Sequence, residues 1–402
     1  MVTTPNSIGI YQRYMAPMWD DRDGIIVPTG FQAIIHNGTA LGGTHFSDNA
    51  EVVDIDIQRG DEKAASLVPR GGISRSLGSI QKSLNEEKFT NVNRVYPLSI
   101  ELADISSAQL NKRASGEEQY SGASREFRLR KLSIKAMKET VRRTARMFEI
   151  LCAQSVRTGV QDMIIGTTDS DMQLDWSRNA GNTNAAAAVW NTGTPDIIAD
   201  LETAADAIRE NGHTRPDVAI IGASGMAAFI KDSTLQNLSN NRRYELLTIN
   251  DKNSLPGRLQ FMIDAGFDSR GMVSTYKGRT LYLFTYDEGY TNASNVYTPY
   301  MPIGEAIVFD SRARCDRYFG PPETLPMDSA MRAFYQDRYG LSPNALPSVQ
   351  MRSKSGIIMP EMFHFDAYPN GDNTAITHRT QSAPIFGTTH VDAFARITGL
   401  VS

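Results

Sequence analysis

The sequence predicts an α+β protein, and three observations carry that prediction. Residues 124–158 read as one long helix, because apolar Phe127, Ile134, Val141 and Phe148 recur at seven-residue steps with Met137 and Leu151 at helical offsets between them. Residues 194–231 read as helix, buried strand and short helix in succession. Residues 271–286 read as a hairpin that turns at Lys277-Gly278.

Taken in order, Met1–Ala50 is rich in Gly, Pro, Asn and Asp, with short apolar patches such as Gly24–Pro28 and Phe31–Ile35. So little periodicity over fifty residues predicts an arm that packs on something else, not a private core. Val52–Ile57 alternates as a half-exposed strand does, and Arg94–Glu101 is its expected partner. The polar stretch between them, with Gly60, Pro69, Gly71, Gly72 and Gly78, then forms a projecting two-stranded loop.

The long helix follows. Ser124 is the expected N-cap, Glu126 and Arg157 complement the two ends of the helix dipole, and Gly159 supplies a left-handed stop. At 1.5 Å per residue the helix is about 50 Å long, with one narrow apolar stripe facing inward. Its charge is lopsided: Arg125, Arg128, Arg130, Lys131, Lys135, Lys138, Arg142, Arg143, Arg146 and Arg157 face only Glu126, Glu139 and Glu149, in a chain of net charge -4. Two readings stand side by side, a solvated face with scattered ion pairs and a surface that meets phosphates or the acidic flank of a neighbouring subunit.

Beyond Gly159, Met163–Ile165 and Met172–Trp176 read as short strands, and Asn182–Ala188 as a loop. The next helix has Thr194 as cap, Pro195 in its first turn, apolar Ile197, Ile198, Leu201, Ala205 and Ile208, and Gly212 as stop. Val218–Ile221 is a buried strand, Gly222–Gly225 a turn and Met226–Lys231 a short helix. Glu305–Asp310 and Arg314–Phe319 continue the β pattern, 321–360 is a mixed insert with a helical stretch at Asp328–Tyr339, and His378–Ile397 is strand-like.

Composition excludes several classes. The 402 residues, 41% apolar and 21% charged, make an ordinary globular protein of about two domains. A pI near 5.9 argues against a free nucleic-acid-binding protein. Cys152 and Cys315 have no CxxC partner, which predicts small buried thiols in a reducing compartment. No run approaches the roughly 18 apolar residues of a membrane span, and Met1–Ile10 lacks the features of a signal peptide, so the expected place of synthesis is the cytoplasm.

Catalytic signatures are sparse. Ile221–Met226 resembles a nucleophile elbow around Ser224, but the pattern requires Gly where Met226 stands, and Ser224 reads better as a helix cap. Lys277–Thr280 lacks the order of a phosphate loop. His36, His45, His213, His364, His378 and His390 show no i, i+4 pairing and no nearby cysteine, so neither metal nor cofactor is expected. Trp19, Trp176 and Trp190 read as packing anchors, and the chain as a non-enzyme.

Read as a series, the segments resemble the major capsid proteins of lambda-like tailed phages (major capsid protein E type), which have the Hong Kong 97-type (HK97-like) fold. The resemblance rests on Arg70–Gly72, Tyr96–Ile100, the long helix, Gln173–Arg178, Trp190, Pro195–Glu202, Asp217–Gly222 with Phe229, Tyr276–Gly278, Ala313-Arg314, Tyr318–Gly320 and Gln381–Pro384. It implies an arm at 1–50, an extended loop at 51–102, a peripheral domain at 103–195 built on the spine helix 124–158, an axial domain at 196–362 that includes the insert 321–360, and C-terminal strands at 363–402 that return to the peripheral domain. It implies pentamers and hexamers closing into an icosahedral phage head around double-stranded DNA. The implied contact residues are Arg128, Lys131, Lys135, Lys138, Arg142, Arg143 and Arg146 on the spine helix and Arg59, Arg70, Gly71, Gly72 and Arg75 in the loop. The implied partners are copies of the chain, a separate scaffolding protein, a portal, a decoration protein and, non-specifically, packaged DNA. A nanocompartment shell of the same fold and a serine hydrolase using Ser224 are the alternative readings.

Overall fold

In the computed structural model of the protein the described residues are 28–36, 44–46, 56–59, 85–88, 98–106, 125–162, 173–192, 195–232, 235, 247–248, 255–292, 294–320, 364–369 and 375–401. The spine helix runs over Arg125–Thr158 and is followed by Gly159 at φ 72°, the left-handed stop that glycine adopts without steric cost. The expected cap Ser124 lies outside the described residues. The inward face is wider than one stripe, because Thr140, Thr144, Ala145, Glu149, Cys152, Ala153, Ser155 and Val156 are buried along with Val141, Phe148 and Leu151. Over residues 139–158 the helix is enclosed from several sides, so its small and polar residues there sit against neighbouring chain segments.

Against the spine lies a seven-stranded mixed sheet in the order Thr183–Ala185, Phe394–Thr398, Ala306–Phe309, Val218–Ile221, Thr280–Thr285, Asp268–Ser274 and Leu247–Thr248. Its central strand is buried on both faces, as the continuous apolar run Val218–Ile221 requires. Successive side chains of a strand point to opposite faces. Val218 and Ile220 accordingly join the cluster shared with the spine residues Val141, Phe148 and Leu151, whereas Ala219 and Ile221 join a second cluster under the helices Ile197–Gly212 and Ala223–Lys231. The sheet is thus sandwiched between the spine and two shorter helices. Trp176 and Trp190 are buried as expected, with Trp176 closed over Gly387, where an added Cβ would come within 2.4 Å of the indole. Trp19 lies outside the described residues.

The hairpin Asp268–Ser274 with Thr280–Thr285 turns at Gly278, φ 73°, as the sequence predicts. Other pairings differ from the sequence reading. The strand Asp56–Arg59 pairs with Asn85–Lys88 and not with Arg94–Glu101. Leu98–Ser106 pairs instead with Ala375–Ser382, which in turn pairs with His364–Pro369. Asn182–Ala188 is not only a loop, since Thr183–Ala185 forms the edge strand parallel to Phe394–Thr398. Met163–Ile165 lies outside the described residues, and the strand that pairs with Gln173–Asp175 is Val160–Asp162. The second helix, Ile197–Gly212, is capped by Asp196 and not by Thr194, the Asp196 carboxylate accepting from the Ala199 amide, and the left-handed residue that stops it is His213, φ 51°, one position past the expected Gly212. The insert 321–360 and its helical stretch lie outside the described residues.

The arm gives the largest difference. Gly30–His36 forms a short helix in which Phe31, Gln32, Ala33, Ile34 and Ile35 are buried, packed with the spine and the sheet of its own chain. Thr44–Phe46 adds a parallel strand to Asp316–Phe319, which pairs on its other side with Pro384–Gly387. This much of the arm shares the subunit's own core. The last strand Phe394–Thr398 sits in the seven-stranded sheet beside Ala306–Phe309, so a division at 362/363 passes through that sheet.

Candidate functional site

The spine helix is the element to which distant segments are tied, and buried charges do the tying. Glu149, wholly buried, accepts hydrogen bonds from the backbone amides of Phe31 at 2.6 Å and Gln32 at 3.1 Å and from the Tyr286 hydroxyl at 3.0 Å. The Tyr286 oxygen in turn accepts from the Gly30 amide, and the Gln32 side chain donates to the Ala145 carbonyl. A carboxylate of the spine therefore caps the first turn of the N-terminal helix from another segment, satisfying amides that have no partner within that helix. Burial raises the Glu149 carboxyl above the ordinary range, against the lowering effect of these donors. Burial and the Glu149 charge together push the Tyr286 phenol upward. The sequence reading counted Glu149 only among the acids of a charged helix.

A second clamp holds the C-terminal end of the spine. Glu305 accepts from Arg157 at 3.0 Å and, on both carboxylate oxygens, from Arg396. Burial works to raise the Glu305 carboxyl, but the Arg396 hydrogen bond and the Arg157 charge outweigh it and hold the group below its ordinary value. Arg178 completes this end, donating to the Ser155, Val156 and Arg157 carbonyls at 2.9–3.0 Å with its guanidinium 5.7 Å above the Phe394 ring. The Val156 and Arg157 carbonyls are orphans of the last turn, while the Ser155 carbonyl also accepts from the Gly159 amide, and Arg157, which the sequence assigned to the helix dipole, serves Glu305 instead.

A third polar cluster ties the arm to the sheet. The buried Arg317 guanidinium donates to Thr44 Oγ1 at 2.7 Å and to His36 Nδ1 at 2.8 Å. Burial and then the Arg317 charge lower the His36 imidazole from its ordinary 6.5 to about 4. A depressed folded value means that the unfolded chain binds the proton more tightly between those limits. The stability contributed by neutral His36 is therefore complete above pH 6.5 and is lost as pH falls from 6.5 toward 4. Thermal melts at pH 7.5, 5.5 and 4.5 should show a steeper decline for the wild type than for His36→Gln, and equal slopes would remove His36 as a contributor.

Of the sequence-predicted contact residues, the structure exposes Arg143, which pairs with Glu139 at 2.9 Å, and half-buries Arg142 and Arg146. Arg128, Lys131, Lys135 and Lys138 lie on the helix, and Arg59 in the strand Asp56–Arg59, with side chains outside the described residues. Arg70, Gly71, Gly72 and Arg75 lie outside them altogether.

Ser224 is neither an elbow nor a cap. It stands in the first turn of the helix Ala223–Lys231 without the positive φ of a strained turn, and Gly222 occupies the N-cap position. Gly222 is required there because a Cβ would lie 2.1 Å from the Pro302 carbonyl oxygen. Cys152 and Cys315 are free and buried. Among the described residues no three His, Cys, Asp or Glu side chains are grouped to hold a metal ion, and no helix is long and apolar enough to cross a membrane.

Comparison with known proteins bears on the fold as a whole. A crystal structure from a prophage of E. coli CFT073, described as a capsid protein, is similar over 97% of this chain and 99% of its own at 16% identity and TM-score 0.56. A phage-related protein from Bordetella bronchiseptica RB50 matches over 93% of this chain and 97% of its own at 10% identity and TM-score 0.43. The SrpI encapsulin of Synechococcus elongatus PCC 7942 matches over 89% and 85% at 9% identity and TM-score 0.40. Among curated proteins none matches. The sequence model of the family described as phage major capsid protein E covers residues 37–338, about three quarters of the chain. A long spine helix clamped to a mixed sheet, the whole-chain likeness to the prophage protein and this family match converge: the chain belongs to the phage major capsid protein E family and has the HK97-like α+β fold.

Proposed function

We propose that this major capsid protein closes as pentamers and hexamers into an icosahedral head around double-stranded DNA, assembled in the host cytoplasm with a separate scaffolding protein, a portal and a decoration protein. The observation that carries the proposal is the family match over residues 37–338. Heterologous contacts that close into rings build such capsomers from one chain. Residues 51–102 are the loop that reaches over a neighbour, 103–195 the peripheral domain and 196–362 the axial domain, with the last strand returning to the axial sheet. The basic run of the spine supplies non-specific contact with DNA phosphates or an acidic neighbour.

Sedimentation with negative-stain microscopy of the full chain, expressed with a scaffold candidate, tests this reading. Hollow shells or five- and six-fold rings that retain DNA in a salt-dependent manner support it. Shells filled with a protein cargo indicate a nanocompartment, and a monomer that persists with scaffold ends the shell reading. Deleting residues 60–83 is expected to abolish shells and leave soluble subunits, and normal shells from that deletion would refute the loop assignment.

A further inference from the structure

The segment that leaves the sheet after Thr285 is built to present an aromatic side chain to solvent. Gly289–Thr291 and Tyr297–Pro299 form a small antiparallel hairpin, anchored at its base by Tyr300, which is buried and packs on Tyr286 and Tyr290 with ring centroids 6.2 and 5.4 Å away. Its turn is fixed internally. Asn292 Oδ1 accepts from the Ser294 and Val296 amides, the Asn292 amide donates to the Val296 carbonyl, and Asn295 takes the left-handed conformation at φ 58°.

On this support Val296 is 57% and Tyr297 59% exposed. Isolated exposed apolar residues are ordinary. Tyr297 differs because its position is fixed: its hydroxyl donates to the Asp287 carbonyl at 2.8 Å, and its ring lies over Gly289, where any Cβ would come within 2.6 Å of it. One edge of the ring is thus used up within the chain while more than half of the side chain faces outward. A tyrosine already held in one conformation loses little side-chain entropy on docking, the property of an interface anchor.

The surroundings indicate the partner. Asp287 and Glu288 are exposed beside the hairpin, and no Lys or Arg occurs from residue 280 to 311. The same chain carries the opposite charge on its spine helix, where Arg143 is exposed and Arg142 half-buried. An acidic, aromatic projection and a basic helix face, where Arg143 pairs with Glu139 of its own helix, carry opposite charge, as the two sides of a contact between copies do.

We propose that the hairpin 289–299 docks on a second copy of this chain, with Val296 and Tyr297 as apolar anchors and Asp287 and Glu288 against the Arg142–Arg143 stretch of the neighbour. The inference rests on the shell reading above. It is tested in the full-length protein by the double variant Val296→Ser, Tyr297→Ser, with Tyr297→Phe as the variant that keeps the ring. Loss of a hot-spot aromatic is expected to raise the concentration at which particles form roughly tenfold or more, with the unassembled subunit keeping its cooperative thermal transition, and Tyr297→Phe, which keeps the ring and loses the hydroxyl bond that fixes it, to raise it less. Assembly of the double variant at the wild-type concentration overturns the proposal. Should that variant lose its thermal transition, the charges decide: Asp287→Lys with Glu288→Lys weakens assembly, and adding Arg142→Glu with Arg143→Glu restores it. Absence of restoration overturns the pairing with the spine. If wild-type chain forms no particle at all, the shell reading falls and this inference with it; particles from wild type and double variant alike sink the inference alone.

Discussion

Glu149→Ala destabilises the folded subunit by on the order of 3–5 kcal/mol, because each buried donor left without its acceptor costs about 1–3 kcal/mol. The substitution strands two backbone amides and the Tyr286 hydroxyl, each buried and each left without its acceptor. Because Phe31 and Ile35 are seated in the core next to the spine, loss of the cap also loosens the N-terminal helix. Tyr286→Phe removes a single hydrogen bond and should cost only about 1 kcal/mol. Urea unfolding of unassembled subunits measures both. A Glu149→Ala penalty no larger than that of Tyr286→Phe would mean that the apolar contacts of Phe31–Ile35 hold the helix without the clamp.

The Glu305 clamp predicts a loss of similar size by a different route. Glu305→Ala leaves Arg157 and Arg396, with side chains only 17% and 23% exposed, facing each other without a counter-charge, again on the order of 3–5 kcal/mol. Replacing all three together, as Glu305→Leu, Arg157→Met and Arg396→Met, should recover much of that stability, because desolvated charges are removed along with their attraction. A triple variant as unstable as Glu305→Ala would contradict the electrostatic account. The pH dependence has a definite sign. The Glu305 carboxyl is held below its ordinary 4.5, so its contribution is present above that pH and is lost as pH falls further through the folded value. Loss of the clamp releases the end of the spine from the strands Ala306–Phe309 and Phe394–Thr398, which carry the central sheet.

Much of this architecture was legible in the chain itself. The seven-residue recurrence through Val141 and Phe148, closed by Gly159, marks a helix that the structure bounds at Arg125–Thr158. The run Val218–Ile221 announces a strand covered on both faces, and Lys277-Gly278 announces a hairpin turn. The order of these segments also carried the family resemblance, which the match over 37–338 bears out. The pairing of Leu98–Ser106 with Ala375–Ser382 was not legible, since alternation says that a strand has two faces and nothing about which strand lies beside it. Thr183–Ala185 was hidden for a related reason: a three-residue edge strand of Thr, Asn and Ala has no periodicity to read.

The sequence by itself determined the local elements, because helix period, caps and turn glycines act between residues a few positions apart. Only the tertiary structure decided which charges are structural. Glu149 and Phe31 are 118 residues apart, Arg157 and Glu305 148, and Arg396 and Glu305 91, separations across which no pattern in the chain links a carboxylate to its donors. On a helix rich in arginine, Glu149 looks like one more solvated acid until the arm and the hairpin close over it. Burial then removes water as the competing partner, and the same side chain changes from a surface charge into the group that fixes three segments in place.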